Sequence, residues 1–432
     1  MPPAAGDLDP AAKGRAGERR QVSRLMGFFA LVYLVEGFGQ TGGLIAQPLN
    51  YYLKEVYGWT PVQVTASLAV LTLPWVIKPL YGIVSDFVPL FGSRRRAYLV
   101  LANAVAAAAF AATARFADPG ALILLLLASA YAMAISSTLA GAVLVENGQR
   151  LGRSDAFVNQ QWLWFNIAAM ASAFLGGELV ERLSARGALH AAAAIVAAAP
   201  LAAVFAAAFL IDETPSRLDL AELGKSFRGL LSTFAQRDLW IIGLFLFLYY
   251  LNPGFGLPLY YYMTDTLKFS QDFIGVLGAI NSAGWIVGAV LYKKLRGMTT
   301  SKGLLNLSIL IGTATTAAFL LLAGETSAAI INFASGAAGM VAFVATLTLA
   351  ADYCPRRAEG FAFALLMSLL NLSSALSGTI GAFLYEHAFH NRLAPLIVVS
   401  AASTAVIFLL VPLLRLGDRP VSVPARPDDR GD

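Results

Sequence analysis

Twelve times along the chain, about 20 or more mostly apolar residues run together, each run long enough to carry a helix across a bilayer core. The runs fall at 25–53, 60–88, 97–116, 120–146, 155–181, 188–211, 238–266, 271–295, 302–322, 327–351, 358–386 and 393–414. A segment inside lipid must satisfy its own backbone, which leaves helices or a closed barrel. These runs are too long for barrel strands and lack their two-residue alternation. The composition agrees: 58% of the 432 residues are hydrophobic and only 13% charged, with mean hydropathy +0.67. Soluble domains carry roughly 25% charged residues, so a water-soluble globule is excluded, as is a disordered chain. The expected fold is an all-α membrane protein of twelve transmembrane helices.

The charges orient it. With the N-terminus in the cytoplasm, 24 of the 31 Lys and Arg fall in the tails and cytoplasmic loops, and six in outer loops. Only Lys78 is left within the membrane. Both termini are therefore expected in the cytoplasm. The polar first 24 residues and a full-length first run argue against a cleaved signal peptide. The Pro-, Gly-, Asp- and Arg-rich tails, 1–23 and 416–432, are expected to be disordered. Between the bundles 24–211 and 238–415 lies a linker, 212–237. There Leu220, Leu223, Phe227, Leu230 and Phe234 recur at helical spacing, which predicts an amphipathic helix on the inner membrane face.

The two halves repeat. At an offset of 210, Pro48, Leu49, Tyr51 and Tyr52 meet Pro258, Leu259, Tyr261 and Tyr262; Glu55 meets Asp265 and Trp75 meets Trp285. At 205, Asn166, Ser172, Gly176 and Glu181 meet Asn371, Ser377, Gly381 and Glu386. Two like-oriented six-helix pseudo-repeats resemble the plan of the major facilitator superfamily, with a solute cavity near mid-bilayer on the pseudo-twofold axis.

Polar groups inside lipid are costly and face a cavity or the bundle interior. Glu36, Gln40, Gly43, Gln47 and Asn50 follow 4-3-4-3 spacing and would share one face of the first helix. Such a stripe suits a water-filled path, with Glu36 as the proton-coupling group; a protonated, structurally bonded Glu36 is the competing view. Lys78 is either a cation for an anionic solute or a structural Lys, paired with Asp86 or Glu146 or snorkelling inward. Asp86 with Arg94, Arg95, Arg96 and Glu146 suggests a charge cluster that gates the inner mouth. Asn159, Trp162 and Asn166 share a face in the fifth run. Tyr249, Tyr250 and Asn252 precede Pro253, Gly254 and Gly256, residues that interrupt a helix and free its backbone. Amides beside aromatic rings suit a planar heterocycle, so these residues, with Gln40, Gln47 and Asn371, are the candidate solute ligands. Gly284, Gly288, Gly378 and Gly381 read as packing positions.

No cofactor or metal is expected, with one cysteine, Cys354, and three histidines, His190, His387 and His390. No phosphate loop, His-Glu-x-x-His motif or nucleophile–base set is present, which disfavours an ATPase, a membrane protease or any other enzyme. The basic residues are dispersed over loops, which gives nucleic acid no docking surface.

The run from Pro74 to Val100, PWVIKPLYGIVSDFVPLFGSRRRAYLV, resembles the folate–biopterin transporter family of the major facilitator superfamily. The likeness continues at Pro253, Tyr261, Tyr262, Thr264, Leu267 and Phe269, and again at Cys354, Pro355, Glu359, Phe363–Ser368, Asn371 and Leu372. Lys78, Asp86 and Arg94–Arg96 belong to the family motif; Glu36 has no assured counterpart, and the fourth run is less acidic than in the family. The resemblance implies uptake of folates or reduced pterins by proton symport; a monomer in a bacterial inner membrane is expected. Two other readings stand beside it: a muropeptide or drug permease of the same superfamily, and a non-transporting scaffold or pigment-assembly factor.

Overall fold

The computed structural model describes residues 10–213, 236–352 and 359–414. The predicted linker helix and the residues beyond 414 lie outside these. Among the described residues, eleven helices are long and apolar enough to cross a membrane. The seventh expected run is divided into α10 (Arg237–Tyr250) and α11 (Gly256–Tyr261), with Pro253 and Gly254 between them.

In the first half, α1 (Pro10–Gly39) is followed by α2 (Ala46–Tyr57). The helix thus starts at Pro10, inside the segment expected to be a disordered tail. It also stops at Gly39, so the first run is not one helix. The second run is α3 (Pro61–Ala69), α4 (Leu73–Val76) and α5 (Lys78–Phe87), joined by a tight turn at 70–72 and a break at Ile77. Then come α6 (Arg96–Thr113), α7 (Pro119–Leu151), α8 (Ser154–Arg182) and α9 (Ala185–Leu210). The second half continues with α12 (Gln271–Arg296), α13 (Ser301–Ala318), α14 (Glu325–Asp352), α15 (Glu359–Phe383) and α16 (Leu393–Val406).

Local chemistry explains many boundaries. Thr60 and Gln63 form a reciprocal capping box on α3, with Pro61 at its first position. Asp118, Ser184 and Thr300 cap α7, α9 and α13. Gly152 ends α7 at φ 61°, a conformation that costs glycine little.

Each half buries its own side chains. One apolar cluster joins Phe28, Phe29 and Tyr33 to Leu99, Phe157 and Val196 in the first half; Leu246, Leu366 and Ile309 centre another in the second. Because lipid tails are as apolar as Leu, helix association depends on close packing rather than on exclusion of water. Alanine-rich α9 packs on α6 and α1, and Gly284 and Gly288 let α12 press against the Phe333 and Ala337 backbone of α14. The outward faces stay apolar, as at Leu124, Phe209 and Leu409.

The bundles meet along two seams, α8 with α12 and α15 with α3–α5. The end bearing Arg24, Arg94–Arg96 and Glu213 is here termed proximal, and the opposite end, with Lys54, Asp265 and Gln271, distal. The hydrogen bonds and ion pairs seen between the bundles lie at the distal end and at mid-depth. At the distal end Lys54 Nζ meets Asp265 at 2.5 Å, Gln47 Nε2 donates to the Gln271 carbonyl at 2.8 Å, and Tyr261 Oη donates to the Trp59 carbonyl at 2.5 Å. The distal end is closed, and among the described residues the bonds between the bundles gather at that end and at mid-depth.

Candidate functional site: a buried charge pair beside a kinked helix

Proline sets the geometry of the second run. In a continuous helix the N–H of residue 79 would satisfy the carbonyl of residue 75, but Pro79 has none. The helix breaks at Ile77, and the freed Trp75 carbonyl accepts from Asn371 Nδ2 of α15 at 3.1 Å. Asn371, expected to bind solute, thus ties the two bundles together at mid-depth. Lys78 stands at the start of α5 just past the break. Its Nζ lies 4.4 Å from the centre of the Trp75 ring and donates to Ser137 Oγ of α7 at 3.1 Å.

Ser137 in turn donates to Glu36 Oε1 at 2.7 Å. Glu36, Ser137 and Lys78 therefore form one chain across α1, α7 and α5. Glu36 Oε2 is buried with no partner among the described residues. Of the two views of Lys78, pairing with Asp86 or Glu146 is not what the structure shows, because both acids are taken by Arg95.

The expected gate is built differently from its reading as a charge cluster closing the mouth. Arg95 is 6% exposed. It reaches Ser85, Asp86 and, at 2.7 Å, Glu146, all within the first bundle. Arg94 and Arg96 contribute their backbone: with Arg95 they donate N–H groups to Glu213, at 2.8–3.3 Å, while Ser93 donates its hydroxyl at 2.5 Å. Partial burial works against the Glu213 charge, yet Ser93 and the three N–H groups outweigh it and hold the carboxyl below its ordinary range. A tight turn at Leu90–Ser93, with Gly92 at φ 77°, aims these donors. A Cβ placed on Gly82 would meet no neighbouring atom within 4 Å, so there is open space beside α5 at that position. The cluster therefore shapes a loop of the first bundle, its bonds among the described residues all lying within that bundle and Glu213 just past it.

The polar stripe of the first run is divided by the break at 40–45. Glu36 faces Ser137, and Gln47 is engaged with Gln271 in the distal closure. Gln40 and Asn50 line a cavity of about 300 Å³ at the break, with Thr41 and Ser129 and an apolar wall that includes Phe38, Leu71 and Phe110.

Most of the remaining candidates are engaged within the protein. Tyr250 Oη shares a hydrogen bond with Thr346 at 2.8 Å, and Asn252 bonds Thr404 and Ser377. Tyr249 packs edge-on against Tyr250 in the second core. Asn166 donates to the Trp162 carbonyl of its own helix at 2.7 Å, and Trp162 packs edge-on against Phe343 across the bundles. Asn159 is exposed. Sequence reasoning missed Ser137, Glu213, Gln271 and Asp265. Ser137 lies in a Ser-Ser-Thr run whose inward member no spacing rule selects, and Glu213 borders a loop.

Comparison with known proteins is consistent with this architecture. The profile of the BT1 family matches residues 38–423. A folate-biopterin transporter of Synechocystis sp. is 29% identical over 434 residues, covering 93% of this chain and 84% of its own. A probable folate-biopterin transporter of Arabidopsis thaliana is 25% identical, covering 83% of this chain and 75% of its own. Among solved structures, a nucleoside transporter, NupG, superposes with a TM-score of 0.68 at 15% identity, over 91% of this chain and all of that one. A D-xylose–proton symporter gives 0.65 at 15% identity, over 92% of this chain and 97% of that one. The shared fold is the major facilitator fold.

Proposed function

The chain belongs to the BT1 family and is an integral membrane transporter rather than an enzyme; from that premise we propose that it carries a folate- or pterin-like anion together with a proton, by alternating access. The observation that carries this is the Glu36–Ser137–Lys78 chain. Charges withdrawn from bulk water are tolerable only as a pair or as two neutral groups. An arriving carboxylate that engages Lys78 leaves Glu36 without its counter-charge, and Glu36 then takes up a proton. One anion and one proton are thereby bound together, and neither is favoured alone. The names of the relatives support the solute class, and the cavity at the break in the first run offers room for a planar ring beside the amides of Gln40 and Asn50.

The excess of Lys and Arg at the proximal end supports a cytoplasmic location for that face and for both termini, in a bacterial inner membrane. The carrier works as a monomer, with the crevice between its own two bundles.

The test is uptake of labelled folate and tetrahydropterin into proteoliposomes under an imposed pH gradient. Glu36→Gln is expected to abolish gradient-driven accumulation while leaving solute exchange at equal pH. A Glu36→Gln protein that still accumulates solute in full response to the gradient would contradict the coupling role.

A further inference from the structure

The internal repeat allows each contact between the bundles to be compared with its pseudo-twofold mate, and the mates are unequal. On the α8–α12 seam, Glu181 Oε2 accepts the Gln271 N–H, the first of α12, at 2.8 Å. Gly177 and Gly275 let the two backbones touch there: a Cβ on Gly177 would lie 2.7 Å from the Gln271 carbonyl oxygen. At the same offsets the mates of Glu181 and Gln271 are Glu386 and Pro61, and those of Gly177 and Gly275 are Ala382 and Thr65.

The mated seam therefore lacks both devices. Pro61 heads α3 and has no N–H to give, and Glu386 Oε2 is buried without a partner among the described residues. Glu386 is within electrostatic reach of Tyr261, whose hydroxyl holds the Trp59 carbonyl two residues before Pro61. Where the first seam sets glycine against glycine, this one sets Thr65 against Gly378, the threonine Cγ2 lying 3.6 Å from the glycine's Cβ position. At mid-depth the inequality reverses: Asn371 holds the Trp75 carbonyl that Pro79 frees, whereas the mates Asn166 and Trp285 make no such bond, Trp285 lying in an unbroken α12.

We infer that distal opening starts at the α3–α15 seam, and that Pro61 keeps it openable by withholding an N–H from Glu386. The α8–α12 seam, pinned at its distal end, is the side about which the bundles turn. This inference rests on alternating access but not on the solute or the proton.

The experiment replaces Cys354 with Ser, places a cysteine at Asn50, between the Gln47 and Lys54 contacts of the closure, and measures its labelling by a membrane-impermeant maleimide added from the distal side. Pro61→Ala supplies an N–H at a first helical position where the capping box already fixes the helix, so folding is retained; unchanged thermal unfolding checks this. Labelling is expected to fall roughly tenfold, the scale of one charge-assisted hydrogen bond. The fall is expected to vanish when Glu386→Ala is added. Glu181→Ala, which releases the pinned seam, is expected to raise labelling. Equal labelling with and without Pro61→Ala, or a reduction that persists in Glu386→Ala, would overturn the inference. Asn50 unlabelled even in Lys54→Ala/Asp265→Ala would instead contradict alternating access itself.

Discussion

At the scale of single residues, partners rather than identities assign roles. Lys78 and Glu36 were both legible in the sequence as ionisable groups within apolar runs. Ser137, which joins them, was not, because a serine in a membrane helix usually bonds its own backbone, as Thr138 does to Ala134 here. Removing it should matter: Ser137→Ala leaves both ends of the chain short of a partner and is expected to destabilise the detergent-purified protein by about 1–3 kcal/mol. Thermal unfolding measures this, and an unchanged transition would show that the bridge carries no weight. Glu213 makes a separate prediction. Its carboxyl is held below the ordinary range in the folded chain, so the stability it contributes is complete above the unfolded value of about 4.3 and is lost as pH falls through the folded one. The wild type is expected to unfold at a higher temperature than Glu213→Gln at neutral pH, with the two converging on acidification. Curves that stay parallel into acid would remove Glu213 from the account.

At the scale of elements, hydropathy located the runs, because length and apolarity are read directly from composition along the chain. It did not locate the breaks. The Pro253–Gly254 interruption was expected from its residues, whereas Gly42 and Gly43 gave no such signal, since glycine is common within continuous membrane helices. The break at 40–45 consequently splits a stripe that a straight helix would have presented on one face. The kink at Pro79 has a consequence that can be measured. Pro79→Ala restores an N–H for the Trp75 carbonyl, which then no longer needs Asn371. In a double-mutant cycle on thermal stability, Pro79→Ala and Asn371→Ala are expected to couple by about 0.5–1.5 kcal/mol. Additive effects would mean that the kink and the bond between bundles are unrelated.

At the scale of the whole molecule, the repeat was legible from shared Pro, Trp, Asn and Glu positions, and it is the feature that carries the fold. Its departures from symmetry were not legible, because Pro61 and Pro79 acquire meaning only once the opposite helix is known to be waiting for an N–H or offering an amide. The structure is closed at Lys54–Asp265, and among the described residues the Arg95 side chain bonds only within the first bundle, which fits one of the two arrangements of the proposed alternating access. The most direct measurement is a pair of spin-label distances in the Cys354→Ser protein in lipid, one between Glu55→Cys and Lys268→Cys at the distal end, the other between Arg94→Cys and Lys293→Cys at the proximal end. Two populations are expected in each, short at one end where long at the other, exchanging weight when the distal ion pair is removed by Lys54→Ala. A single fixed distance at both ends, unmoved by that substitution, would contradict a crevice that opens to each side in turn.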